Sequence, residues 1–316
     1  MRGVGRRVAA IDCGTNSIRL LVADVDPDAG MLVDLVRTME VVRLGQGVDR
    51  TGRLAPEALA RTFAACDRYA AQISSLGAER LRFVATSASR DAENRDEFVA
   101  GVVERFGVEP AVVSGEEEAR LSFAGATREL VGREEGPFLV VDIGGGSTEF
   151  VLGSSSPSAA TSVDVGCVRM TERHLHGDPP SFAEVAAARA DVAAAVDRAA
   201  AAVPFGQART LVGLAGTVTT LAAMDAGIPA YDARVTHHYR LAATAVHDLA
   251  ERLLAATRAE RAAVPVMHPG RVDVIGAGAL VLQVILERTG LPSVLVSEHD
   301  ILDGIAWSAA RQAGGS

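Results

Sequence analysis

Apolar residues run along this chain in two rhythms. Short unbroken runs, such as Ile18 to Val22 around Arg19 and Leu139-Val-Val141, have strand length and end in glycine-rich or polar turns. Longer stretches repeat their apolar positions three and four apart, as Leu59, Phe63, Cys66 and Ala70 do, which is the period of an amphipathic helix. The pattern predicts a hairpin half over residues 8–24, a strand over Met31 to Val42 and a helix over Pro56 to Leu76. It then predicts a strand from Leu81 to Thr86, a helix from Asp91 to Phe106, a strand from Val108 to Ser114 and a helix to about Leu130.

The second half repeats the alternation. A hairpin begins at Leu139, loops at Gly153 to Ser158 and returns as a strand over Val163 to Val168. Helices are predicted over Phe182 to Val203, Val218 to Ala226, Leu241 to Ala263 and through Glu287, with strands at Thr210 and at Ser293 to Val296, and a last helix from Ile301 to Gln312. At 316 residues the chain suits two cores of about 150 residues better than one. Alternating strands and helices imply an α/β fold. The charged link Gly132 to Gly136 marks a boundary between domains 1–132 and 133–300, with the final helix, about 301–316, packing back on the first.

Two of the turns carry the same chemistry. In Asp142-Ile-Gly-Gly-Gly-Ser-Thr-Glu149 an apolar strand runs into three glycines, Gly144, Gly145 and Gly146, which are expected to use positive φ and present successive amides to an anion. Ser147 adds a hydroxyl, and a carboxylate ahead of the turn suits hydrated Mg²⁺. Read alone, the segment is also compatible with a tight hairpin bearing a surface Asp. Sliding the chain by 130 positions lays Asp12 on Asp142, Gly14 on Gly144 and Ser17 on Ser147, so the turn occurs twice, and two such hairpins facing each other would clamp a polyphosphate.

Composition narrows the chemistry further. All 31 basic residues are Arg, which closes Walker A, protein kinase and Schiff-base chemistry and leaves cationic phosphate contacts to guanidinium groups. A net charge of −9 argues against a nucleic-acid surface, and no apolar run approaches the roughly 20 residues of a membrane span. Cys13, Cys66 and Cys167 are far apart with no metal-ligand spacing, the pattern of reduced thiols in a cytoplasm, and Cys13 reads as a core residue. His237-His238 and His268 lack a partner at metal-ligand spacing and are expected to be structural.

Ser114-x-x-Glu117 reads as a capping box, which occupies Glu117 and leaves Glu118, about 100° further round the helix, free to orient a water near a phosphate. Acids complementing the helix dipole explain the same residues equally well. Arg90 follows Ser87 and Ser89 at a strand-to-helix junction, where an anionic partner would offset an unfavourable position. Gly213-Leu-Ala-Gly216-Thr217 is a third turn with amides that could hold phosphate. Gly276-Ala-Gly278 reads as close helix packing.

Taken in order, Asp12-x-Gly-Thr-Asn-Ser17, Thr86-Ser-Ala-Ser-Arg90, Ser114-Gly-Glu-Glu-Glu-Ala-Arg120, Asp142 to Glu149 and Gly213 to Thr217 resemble the exopolyphosphatase and guanosine pentaphosphate phosphatase family. Arg271-Val-Asp273 and Ser297 to Gly304 extend the resemblance over nearly the whole chain. It implies two ribonuclease-H-like domains of the actin-like ATPase type around a cleft. It also implies Glu118 as catalytic base, Arg90 as phosphate ligand, and Asp12, Asp142 and Glu149 around Mg²⁺ or Mn²⁺. Phosphate would be cradled by Gly14, Thr15, Asn16 and Ser17, by Gly144 to Ser147, and at Gly216 and Thr217.

The implied reaction is removal of the terminal phosphate of inorganic polyphosphate. Shorter chains are favoured because many relatives continue into a helical domain beyond the position of Ser316, and a homodimer is expected. The same residues would serve a phosphatase of guanosine pentaphosphate, and a non-catalytic actin-like nucleotide-binding module is the alternative outside catalysis.

Overall fold

The computed structural model describes residues 5–311, which group into two compact units: residues up to Gly125 together with those from Ile301, and Ala126–Asp300. The first unit holds strands β1 (Arg6–Cys13), β2 (Ser17–Asp26), β3 (Met31–Val41), β4 (Arg80–Ala85) and β5 (Ala111–Val112), in the spatial order β3-β2-β1-β4-β5. β1, β2 and β3 are a meander, while β4 and β5 add in parallel beside β1.

The second unit repeats this plan with β6 (Phe138–Ile143), β7 (Thr148–Gly153), β8 (Pro157–Val163), β9 (Thr210–Leu214), β10 (Arg240–Ala242) and β11 (Ser293–Val296). Its order is β10-β11-β9-β6-β7-β8; β6, β7 and β8 form the meander, β9 and β11 add in parallel, and β10 closes the edge antiparallel to β11. Each sheet thus has the mixed topology expected of a ribonuclease-H-like domain.

The central strands are covered on both faces, so they read as continuous apolar runs rather than alternating ones. Ala9, Ile11 and Cys13 of β1 face a core with Leu59, Cys66, Tyr69 and Phe98, whereas Val8 and Ala10 face Ile301, Leu302 and Ile305 of the helix Ile301–Arg311. Cys13 is therefore a core residue, and all three cysteines are buried and free. That last helix meets Gly115–Thr127 so closely that a Cβ on Gly304 would lie 2.1 Å from the Leu121 carbonyl oxygen. No helix among the described residues is long and apolar enough to cross a membrane.

Several boundaries differ from the expectation, each for a local reason. The strand predicted over Val108 to Ser114 shrinks to Ala111–Val112, because Pro110 has no N–H to give a ladder. The helix predicted from Asp91 splits into Ser87–Asp91 and Arg95–Phe106; the buried Asn94 between them bonds both the amide and the carbonyl of Leu54. The helix predicted over Leu241 to Ala263 is broken after Ala255. A capping box, Thr257 with Glu260, starts the separate helix Arg258–Ala262. Gln312, assigned to the last helix, lies outside the described residues.

Candidate active site

The turn between β6 and β7 is braced from behind. The Gly144 carbonyl accepts Cys167 N–H at 2.9 Å, the Gly145 carbonyl accepts the amides of Val168 and Arg169 at 2.9 and 3.0 Å, and the Gly146 carbonyl accepts Arg169 Nε at 2.6 Å. A planar trans peptide points its N–H opposite to its C=O. Turning these three carbonyls toward residues 167–169 therefore aims the amides of Gly145, Gly146 and Ser147 to the other side, as a row of donors suited to an anion.

The segment that makes this brace was predicted as strand Val163 to Val168. Instead β8 ends at Val163 and a helix, Cys167–His174, starts against the glycine turn. Gly166 permits the approach, since a Cβ there would meet the Gly145 carbonyl oxygen at 2.5 Å. The expected use of positive φ is not what the turn glycines provide. Gly14 and Gly144 stay out of the left-handed region, and a Cβ on Gly144 would lie 3.1 Å from the Ser147 carbonyl oxygen, so the need is for space.

The first-unit turn is built in the same way. Gly14 N–H donates to the Ser17 carbonyl at 3.0 Å, as Gly144 N–H does to Ser147. These two amides close their turns. Here the brace is the loop after β3: the Thr15 carbonyl accepts Gly45 N–H, and the Asn16 carbonyl accepts the amides of Val42 and Arg43. By the same peptide geometry the amides of Asn16 and Ser17 are turned away from that loop. Thr15 Oγ1 and Ser87 Oγ are 2.8 Å apart, tying the turn to the segment that carries Arg90.

The carboxylates beside the two turns differ. Asp142 lies directly across from Glu149 on neighbouring strands, and both are buried; Ser162 Oγ donates to Glu149 at 2.7 Å. Two acids at cross-strand spacing repel each other, and a cation between them would relieve that repulsion. Their hard oxygen donors fit Mg²⁺ or Mn²⁺. At the equivalent register in the first unit Asp12 faces Arg19, whose Nε and Nη2 both donate to Asp12 Oδ2 at 3.0 and 2.7 Å. The charge of Asp12 is thus balanced within the chain.

Glu118 and Arg90 come together in the first unit: Arg90 Nη1 donates to Glu118 Oε2 and to the Val113 carbonyl, each at 3.1 Å, and Glu118 is buried. Half of the expected capping box forms. Ser114 Oγ accepts Glu117 N–H, but the Glu117 carboxylate takes Arg82 at 2.7 Å instead of reaching back to Ser114. Arg120 pairs with Glu116 one turn along the helix.

At the third turn Ala215 sits in the left-handed region with φ 67°, a conformation costing about 1 kcal/mol or more for a residue with a side chain. Nothing in the sequence signalled it. The guanidinium of Arg271 packs on Gly216, where a Cβ would lie 2.4 Å from it, and donates to Thr220 at 3.0 Å. Thr217 lies over Gly278 with its hydroxyl toward Cys167, which bears out close packing as the reason for Gly278. Burial pushes the Cys167 thiol up to about 11 and the Cys66 thiol to about 12, so both are inert at neutral pH.

A family model described as the Ppx/GppA phosphatase family matches residues 21–312. Among curated proteins, exopolyphosphatase 2 of Mycobacterium tuberculosis (strain H37Rv) is 52% identical over 315 residues, covering 96% of this chain and 98% of the relative. Among solved structures, a crystal structure of an exopolyphosphatase-like protein superposes with TM-score 0.92 at 44% identity, covering 96% of this chain and 98% of the other. The Aquifex aeolicus member of the Ppx/GppA family superposes with TM-score 0.80 at 30% identity, covering 96% and 97%.

Proposed function

The chain belongs to the Ppx/GppA phosphatase family, and on that premise we propose that it is an exopolyphosphatase, hydrolysing the terminal phosphoanhydride of inorganic polyphosphate. The observation that carries this reading is the carbonyl brace, which leaves Gly145, Gly146 and Ser147 as a row of backbone donors for a phosphate. Gly216, Thr217 and the first-unit turn from Thr15 to Ser17 are the further phosphate contacts of the proposal. The name of the Mycobacterium tuberculosis relative supports the substrate class.

Asp142 and Glu149 would hold the divalent ion, which when bound supplies positive charge to the phosphate oxygens. Asp12 holds Arg19 in place rather than offering both of its oxygens to the metal. Glu118 takes a proton from water as the water oxygen attacks the terminal phosphorus. The bridging P–O bond breaks, and the chain leaves one phosphate shorter. Arg90 orients Glu118 from one side of its guanidinium and offers its remaining donors to the terminal phosphate.

Phosphate release from a polyphosphate chain-length series, run beside guanosine pentaphosphate with Mg²⁺ or Mn²⁺, tests the reading. Release is expected from polyphosphate and should disappear in Glu118→Gln while the substrate still binds. Release from the nucleotide alone would replace polyphosphate as the substrate. Unchanged turnover in the variant would remove Glu118 from the mechanism.

A further inference from the structure

We propose that Glu129, His237 and His299 form a second cation site in the Ala126–Asp300 unit, suited to a borderline transition-metal ion such as Zn²⁺ rather than to Mg²⁺. The three residues are far apart in sequence, yet each offers a ligand atom within 4.8 Å of the other two. His237 Nε2 lies 3.2 Å and His299 Nδ1 3.7 Å from the same Glu129 oxygen. Metal–ligand bonds of about 2.0–2.2 Å at tetrahedral angles put neighbouring ligand atoms about 3.3 Å apart, so these spacings need little adjustment.

Two imidazoles and one carboxylate favour zinc-like ions over Mg²⁺, which prefers an all-oxygen shell. That separates this site chemically from the Asp142 and Glu149 pair. The side chains are 22 to 44% exposed, so an ion can enter from solvent and complete its shell with water.

The surroundings hold the rings in place. His237 stacks on His238 with ring centroids 3.8 Å apart and lies 4.7 Å from the His299 ring. His238 occupies the left-handed region at φ 62°, pinned by its N–H to the Val296 carbonyl at 2.7 Å, and its Nε2 is buried with no hydrogen-bond partner. A strained backbone and an unsatisfied ring nitrogen beside a carboxylate and two further imidazoles point to a ligand site more than to packing alone.

One contact sets the site's character. His237 Nδ1 accepts Glu298 N–H at 3.1 Å, so in the metal-free ring the proton sits on Nε2 and is directed at Glu129. A metal must displace that proton and perturb the Glu298 bond. The site is accordingly weaker than a structural zinc centre. Loading would join the segment after Thr127, the segment before β10 and the loop after β11, whose Ser297 N–H is bonded to the Gly213 carbonyl at the end of β9.

The test is a Co²⁺ titration of chelator-treated protein, followed by visible absorption and by the melting temperature. One equivalent with a tetrahedral spectrum is expected in the presence of millimolar Mg²⁺, together with a rise in melting temperature. The tetrahedral signal should be lost in His299→Ala and in Glu129→Gln, and retained in Glu149→Gln. His299→Ala removes a half-buried ring whose backbone bonds remain, so circular dichroism should confirm an intact fold. Absence of the spectrum, or its persistence in both His299→Ala and Glu129→Gln, overturns the proposal, as does a change in histidine titration with no metal uptake.

Discussion

Asp142 and Glu149 are direct cross-strand partners, two buried carboxylates held side by side next to one glycine turn. In the other copy of the turn the register is the same, but Arg19 replaces the second acid opposite Asp12. One copy sets an arginine against its aspartate, and the other sets two acids side by side, the pair proposed above to hold the divalent ion. Removing one acid should therefore have opposite effects on stability and on turnover. Glu149→Gln is expected to raise the stability of metal-free protein by about 0.2–1 kcal/mol through lost repulsion. It should lower phosphate release at least about 100-fold. Melting curves with and without Mg²⁺, beside a phosphate assay, check both signs; a metal-dependent rise in melting temperature equal to that of the unaltered protein would contradict the assignment.

Arg90 joins Glu118 to the Val113 carbonyl, so its removal should act on both fold and chemistry. Arg90→Ala leaves a buried carboxylate without this partner and is expected to cost about 1–3 kcal/mol of stability, discounted because the Arg90 side chain is 25% exposed. Turnover should fall further than stability accounts for. Glu118→Gln should spare stability while abolishing turnover. Chemical denaturation and steady-state rates on the two variants separate these outcomes.

Gly166 stands where the brace touches the glycine turn, and the atoms facing it are backbone, which cannot rotate away. Gly166→Ala is expected to cost about 1–3 kcal/mol and to weaken phosphate binding, because the amide row depends on that contact. Gly206→Ala provides the control: nothing lies within 4 Å of a Cβ there, so the change should be nearly neutral. Equal melting temperatures for the two variants would show that the brace has slack.

Glu184 supplies a pH-dependent prediction. Hydrogen bonds from Ser181, and from the amides of His176 and Gly177, hold its carboxyl down at about 2, against an ordinary value near 4.5. A depressed carboxyl stabilises the folded state fully above pH 4.5 and loses that contribution as pH falls toward 2. Glu184→Gln should melt lower than the unaltered protein at pH 7, with the gap narrowing below pH 4.5. A gap independent of pH would mean that the helix cap Ser181, rather than the charge of Glu184, carries the effect.

The duplicated turn was legible because repetition is visible without coordinates: the offset of 130 positions that aligns Asp12 with Asp142 corresponds to two turns closed by the same Gly-to-Ser bond. What could not be read was what lies behind each turn. The loop at Val42 to Gly45 and the segment from Gly166 to Arg169 meet the turns through backbone atoms, and backbone contacts between distant segments leave no periodic trace. Gly166 was the available sign, a glycine in the middle of an apparent strand. The break after Ala255 was readable from Thr257-x-x-Glu260, but the alanine-rich stretch around it masked the signal. Arg19 opposite Asp12 follows from hairpin register once the turn length is known, whereas the left-handed Ala215 carries no residue-type cue at all.

The return of Ile301–Arg311 to the first unit also bears on how the chain is made. Synthesis proceeds from the N-terminus, yet the helix bearing Glu118 receives its close neighbour at Gly304 only after the whole Ala126–Asp300 stretch has been translated. Nascent chains paused anywhere in that stretch would leave Val8, Ala10 and Leu21 without Ile301, Leu302 and Ile305, and that uncovered apolar surface is a target for a chaperone at the ribosome exit.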